Sequence, residues 1–204
     1  MKISTIFTPA QREILANLHA RDSEERCKGI REAISLKALR PAVARLLCVL
    51  VLQNGANIIV EFGTSHGYST IHLAAAAERT DGHVYSVDEI PEKIALATEN
   101  LGAAGLLHRV TLVTCDGAEF VNSLPDGIDF VLVDYGIPAF APAFAGLREK
   151  IAPGGLIFID GGPDGHWESD AVRGFKTSLE KDPAFLVSIL PMQKVHLVAV
   201  RVVT

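Results

Sequence analysis

The sequence predicts an α/β fold, a doubly wound sheet of seven strands that is mostly parallel with an antiparallel last strand, preceded by a helical N-terminal extension. Three observations carry this. From Ile58 onward, short apolar runs alternate with amphipathic stretches, the pattern of parallel strands joined by helices on both faces. The run Ile58-Ile-Val-Glu-Phe-Gly-Thr-Ser-His-Gly-Tyr-Ser-Thr70 reads as a buried strand, a glycine turn and a helix start. Two further apolar runs, 186–190 and 195–200, flank 191–194 and read as a closing antiparallel hairpin. Together they describe a Rossmann-like architecture in one domain over 1–204, with 1–55 as extension and 56–204 as core.

Taken in order, Thr8-Pro-Ala-Gln11 predicts a helix start, with a Thr cap, proline at the first position and Gln three residues on. The periodicity of Ile14, Leu15 and Leu18 continues that helix, and a second helical stretch is expected around Ile30, Ala33 and Ile34. The segment 41–52 predicts a third helix. This charged extension reads as a lid, an oligomer surface or a plain solvated face. Expected strands are Ile58–Phe62, His83–Asp88, Val110–Thr114, 130–134 and 156–160. Helices are expected from Ser69, over 94–101, on the face Phe140, Phe144, Leu147 and Ile151, and on the face Val172, Phe175 and Leu179.

The chain has 204 residues, enough for a full core in one domain, and 49% are hydrophobic. A formal net charge of −5 gives no electrostatic attraction for nucleic acid or an anionic membrane. Its three cysteines, Cys27, Cys48 and Cys115, lack a C-x-x-C spacing, so neither a disulfide framework nor a zinc site is expected, and a reducing, cytoplasmic compartment is. No signal peptide or bilayer-spanning run is expected.

The glycine turn has the spacing Glu61-x-Gly63-x-x-x-Gly67, which departs from the G-x-G-x-x-G of nicotinamide sites. Asp88 ends the second strand, where a carboxylate grips ribose hydroxyls in doubly wound folds. An adenosyl group fits both features.

The motifs Val60-Glu-Phe-Gly-Thr-Ser-His-Gly-Tyr-Ser69, Val87-Asp88 before Pro91, Gly105-Leu-Leu-His-Arg-Val110, Asp116-Gly117-Ala118 and Ala152-Pro-Gly-Gly-Leu-Ile-Phe-Ile-Asp160 keep one family's order. The chain resembles the class I S-adenosylmethionine-dependent methyltransferases, and within them the catechol and caffeoyl-CoA kind of small-molecule O-methyltransferase. The resemblance implies S-adenosylmethionine as cofactor, a small-molecule methyl acceptor and transfer to oxygen. Together with the apolar helical extension it also suggests a homodimer. Transfer to another acceptor atom, or cofactor binding without catalysis, stand as alternatives.

By that resemblance Glu61 supports the turn and the methionine ammonium, and Gly63, Thr64, Ser65 and Gly67 form the turn itself. Tyr68 and Ser69 take the methionine carboxylate at a helix start, Asp88 takes the ribose, and Asp116, Gly117 and Ala118 meet the adenine edge. His66 is expected to be an exposed loop histidine. Asp134 and Asp160 end adjacent strands at the carboxyl edge, about 5 Å apart by strand spacing.

Catechol-type relatives use that carboxylate pair with a following Asn to hold a metal, and carry a catalytic Lys three residues after the first acid. Here those positions are Gly161 and Ile137. A divalent metal is therefore not favoured, with Asp134 and Asp160 as its residual ligands if one binds; Asp134 is expected to touch the cofactor or the acceptor. In the loop 161–168, His166 is the expected acceptor-side base and Trp167 an acceptor wall.

Overall fold

The computed structural model describes residues 6–30, 32–161, 169–192 and 194–202. Its elements in order are α1 (Pro9–Cys27), α2 (Pro41–Asn54), β1 (Ile58–Phe62), α3 (Tyr68–Thr80), β2 (His83–Asp88), α4 (Pro91–Ala103), β3 (Val110–Thr114), α5 (Gly117–Ser123), β4 (Ile128–Val133), α6 (Ile137–Lys150), β5 (Ile151–Ile159), α7 (Asp170–Lys181), β6 (Phe185–Met192) and β7 (Lys194–Arg201). A short 3₁₀ turn, Leu107–Arg109, leads into β3.

The seven strands form one sheet in the order β3-β2-β1-β4-β5-β7-β6. Neighbours from β3 through β5 run parallel, and β7 runs antiparallel to both β5 and β6. The order reverses beside β1, so the β1 and β4 ends meet at the switch point where open α/β sheets bind ligands. Successive strand residues face opposite sides. Ile59, Phe130, Leu132 and Phe158 are buried in one cluster under α1, α2, α3 and α4. Val60, Phe62, Val131, Val133, Ile157 and Ile159 are buried in a second, under α5, α6 and α7.

The predicted start of α1 is present: Gln11 N–H donates to Thr8 Oγ1 at 3.2 Å, while Thr8 N–H donates to Gln11 Oε1 at 2.9 Å. The extension shares the sheet's core, because Leu15, Leu18, Val43, Leu47 and Val51 are buried with Ile59 and Ile71. No described helix is long and apolar enough to cross a membrane.

Two expected elements need correction, and one helix was not anticipated. The helical stretch around Ile30 to Ile34 is absent among the described residues there; Gly29 at φ 68° ends α1, and the following backbone bonds elsewhere. Leu36 N–H donates to the Glu25 carboxylate at 2.8 Å and Ala38 N–H to Asp22 at 2.9 Å. Ile151 opens β5 instead of closing a helix face, with a register irregularity between Ile128 and Phe130. The segment after Asp116 is a helix, α5, with Asp116 as its N-cap.

Candidate functional site

β1 delivers Glu61 and the turn that follows to the carboxyl edge. Gly63 sits at φ 104°, a region L-residues rarely adopt, and a Cβ there would lie 2.8 Å from the Asp134 carbonyl oxygen. The turn is stitched to β2, since Gly63 N–H and Thr64 N–H both donate to Val87 O, at 2.9 and 3.1 Å. Gly67, at φ 84°, caps α3. The first N–H groups of α3, from Tyr68 onward, have no partner inside the helix and make its N-terminus electropositive.

Asp88 closes the other side. Its Oδ2 accepts from Ser65 N–H at 2.9 Å and its Oδ1 from Ile90 N–H at 3.1 Å. Each oxygen keeps a lone pair for a further donor. Ser65 has φ 48°, and its hydroxyl donates to Leu36 O at 2.6 Å, so the segment before α2 reaches over the turn.

Gly63, Ser65 and Asp88 line a cleft of about 360 Å³, together with Leu36, Lys37, Glu89, Ile90, Lys93, Asp134, Tyr135 and Gly136. That volume lies within the roughly 300–1,000 Å³ of small-molecule sites. Gly63, Ser65, Asp88 and Asp134 are thus brought together as the sequence anticipates. Leu36, Lys37 and Tyr135 were not anticipated. The Tyr135 ring stacks on Phe62 with centroids 5.7 Å apart, and its hydroxyl is buried against Gly117 without a hydrogen-bond partner among the described residues.

Other expected residues lie behind the cleft wall. Glu61 is fully buried; its Oε2 accepts from Thr70 Oγ1 and Ser86 Oγ, both at 2.6 Å, while among the described residues its Oε1 has at most a weak contact from the Ser69 hydroxyl. Desolvation pushes this carboxyl up to about 7, and the Ser69, Ser86 and Thr70 hydroxyls pull partly back. Thr64 Oγ1 pairs with Ser86 Oγ at 2.6 Å, so its side chain serves that network. Tyr68 and Ser69 are buried, Tyr68 against His72 with ring centroids 4.9 Å apart. Only their backbone N–H groups suit a carboxylate ligand.

His66 is not exposed. It is buried with its Nε2 2.8 Å from Ile34 O, and burial lowers its basicity. Its signal lay in the extension, whose backbone covers the turn.

Asp116 is exposed and spends Oδ1 on the α5 cap, accepting from Ala118 N–H at 2.8 Å and Glu119 N–H at 2.9 Å. Gly117 is buried beside Tyr135.

Asp134 and Asp160 follow β4 and β5 side by side, with Asp160 N–H donating to Val133 O at 2.9 Å. Desolvation raises the Asp134 carboxyl well above its ordinary value, and the Asp160 and Glu61 charges add to this. Asp160 is engaged: Lys194 Nζ lies 3.4 Å from Oδ2 and His196 Nδ1 3.1 Å from Oδ1. Ile137 is buried in the core, and Gly161 N–H donates to His196 Nδ1 at 3.2 Å. Among the described residues no group of three His, Cys, Asp or Glu side chains is placed to share an ion. A carboxylate already facing an ammonium, with no side-chain ligand at position 161, does not fit a divalent metal. His166 and Trp167 lie outside the described residues.

Compared with known proteins, residues 60–162 match the family model described as "Methyltransferase domain". The chain is 32% identical over 181 residues to a "Putative O-methyltransferase" of Mycobacterium sp. (strain JLS), covering 82% of this chain and 81% of that one. It is 35% identical over 127 residues to the protein-L-isoaspartate O-methyltransferase of Thermococcus onnurineus, covering 62% and 54%. Against the first of its curated relatives the chain spans about half of their length, 56% and 54%. The solved structure of the O-methyltransferase TomG from Streptomyces achromogenes in complex with SAM shares the fold, with a TM-score of 0.77 at 21% identity over 94% of this chain and 90% of that one.

Proposed function

This chain belongs to the methyltransferase domain family, and on that premise we propose that it transfers a methyl group from S-adenosylmethionine to an oxygen of a small-molecule acceptor. One observation carries the proposal. Asp88, the Gly63 turn and Asp134 line one cleft at the topological switch point.

The residues present fit the cofactor. Asp88 has lone pairs free for ribose hydroxyls, and the N–H groups opening α3 suit the methionine carboxylate. Glu61, behind the turn, is proposed to face the methionine ammonium, whose charge would favour its carboxylate form. Gly117, Ala118 and Tyr135 are proposed for the adenine end. When bound, the cofactor supplies an electrophilic methyl on a sulfonium. The protein's part is to hold an acceptor oxygen in line with it and exclude water. Asp134 is proposed to touch the acceptor or cofactor, and His166 to pass the acceptor's proton to solvent.

We further infer a cytoplasmic setting, supported by free Cys27, Cys48 and Cys115, and no nucleic-acid partner, supported by the net charge of −5. A homodimer is supported by the exposed apolar residues Val49 and Leu52 of α2 and Leu186 and Ile189 of β6.

The test is methyl transfer from isotopically labelled S-adenosylmethionine to a panel of phenols and hydroxylated small molecules, read by mass spectrometry. Methyl ether formation supports the reading. Cofactor binding with no product from any acceptor would favour a binding protein instead.

A further inference from the structure

The catechol-type pattern loses its lysine and asparagine here, yet the carboxyl edge carries a cation from another element. β7 runs antiparallel to β5, so it starts at the edge where β5 ends, and it starts with Lys194. Lys194 Nζ lies 3.4 Å from Asp160 Oδ2, with the Asp160 side chain 7% exposed and that of Lys194 26% exposed.

On the other side of the same carboxylate, His196 Nδ1 lies 3.1 Å from Oδ1. The His196 ring is buried, 5.3 Å by centroid from Phe158, with Nε2 3.2 Å from Met192 O. With Nδ1 accepting from Gly161 N–H, the ring packs against Asp160 without donating to it, and the hydrogen bond that holds the carboxylate comes from Lys194. The ammonium has three donors, and its hydrogen-bond partner among the described residues is Asp160. Asp160 follows β5 where it pairs with β4 at Val133 and Ile159, which sets the Lys194–Asp160 pair beside Asp134, a residue that lines the cleft.

We infer that Lys194 is a catalytic residue that holds the acceptor oxygen as an anion, the acceptor being a phenol or comparably acidic hydroxyl, with Asp160 as its positioning residue. A fixed monovalent cation stands where the catechol-type pattern would use a divalent ion. The inference rests on the methyl-transfer reading above and names its substrate class. In the step, the acceptor O–H first releases its proton to solvent water. The oxyanion lone pair then forms the O–CH₃ bond while the C–S bond breaks, and its electron pair stays on sulfur, giving a neutral thioether and a methyl ether. Lys194 donates hydrogen bonds throughout and is not consumed. An ammonium helps by stabilising the anion before transfer and by aiming it.

A partly exposed ion pair with only a structural role would contribute little and leave acceptor chemistry unchanged. The experiment therefore compares wild type with Lys194→Met and Lys194→Arg, each saturated with S-adenosylhomocysteine, and titrates bound 4-nitrophenol by its phenolate absorbance. Its ionisation should occur at lower pH than free 4-nitrophenol on wild type and Lys194→Arg, and return toward the free value on Lys194→Met. Steady-state transfer should show kcat lowered about tenfold or more in Lys194→Met, with the cofactor's dissociation constant unchanged and Lys194→Arg largely active. Failure of 4-nitrophenol to bind wild type, or identical ionisation on wild type and Lys194→Met, overturns the inference. A shifted ionisation on wild type with no methyl transfer to any acceptor leaves the anion site standing and removes the proposed activity.

Discussion

Asp88 holds the Ser65 amide at 2.9 Å, tying the end of β2 to the crest of the turn after β1. One carboxylate therefore both shapes the turn and presents free lone pairs to the cleft. Replacing it removes charge-assisted hydrogen bonds from ligand and turn together. Asp88→Ala should weaken S-adenosylhomocysteine binding by about 1.5–3 kcal/mol, with Asp88→Asn intermediate because its amide oxygen still accepts. Isothermal titration on folded variants checks this, and an unchanged dissociation constant would take Asp88 out of the site.

Glu61 makes stability depend on pH with a definite sign. Its carboxyl titrates near 4.5 when unfolded and near 7 when folded, because burial disfavours the charge. Between those values the folded state binds more protons, so stability falls as pH rises through about 4.5–7 and levels off above. Relative to Glu61→Gln, wild type should lose on the order of 3 kcal/mol from pH 4.5 to 8. Urea melts of both proteins measure the difference. Saturating S-adenosylhomocysteine should shrink it, since the ligand's ammonium favours the carboxylate.

Gly63→Ala should destabilise more than Gly154→Ala. Both glycines have positive φ, 104° and 83°, but only at Gly63 would a Cβ meet a backbone oxygen, that of Asp134 at 2.8 Å; nothing lies within 4 Å of Gly154. Roughly 1–3 kcal/mol is expected at Gly63. Thermal melts that rank the two variants equally would remove the steric argument.

The first half of this site was legible because its signals are local. A buried strand, two glycines and an acid at the next strand's end define a turn without knowledge of distant pairing, and the structure forms that turn. What escaped depends on long-range register. Lys194 and His196 meet Asp160 only because β7 pairs with β5 at Ile159 and Leu197; an antiparallel hairpin returning to the carboxyl edge was the signal for them. His66 and the stretch around Ile30 to Ile34 were misread for a related reason. The backbone at Ile34, Leu36 and Ala38 bonds to the turn, Glu25 and Asp22, partners that periodicity does not reveal. At Asp116, the capping role prevailed over a ligand role for one oxygen because α5 is too short for hydrophobic periodicity to announce it.

Chelation should matter little. Asp160 faces Lys194 and His196, and Gly161 adds no ligand, so removing divalent ions should lower methyl transfer less than about tenfold, or 1.4 kcal/mol in barrier. Assays with EDTA, then with Mg²⁺ restored, test it. Activity abolished and then recovered would show that Asp134 and Asp160 suffice to hold a working ion.

The central claim is that the cleft between Asp88 and the Gly63 turn is an S-adenosylmethionine site. Calorimetric titration of the wild-type protein with S-adenosylhomocysteine, and separately with NAD, tests it directly. Saturable binding of S-adenosylhomocysteine at one site per chain, with no heat from NAD, is predicted. Binding of NAD with no response to S-adenosylhomocysteine would contradict it.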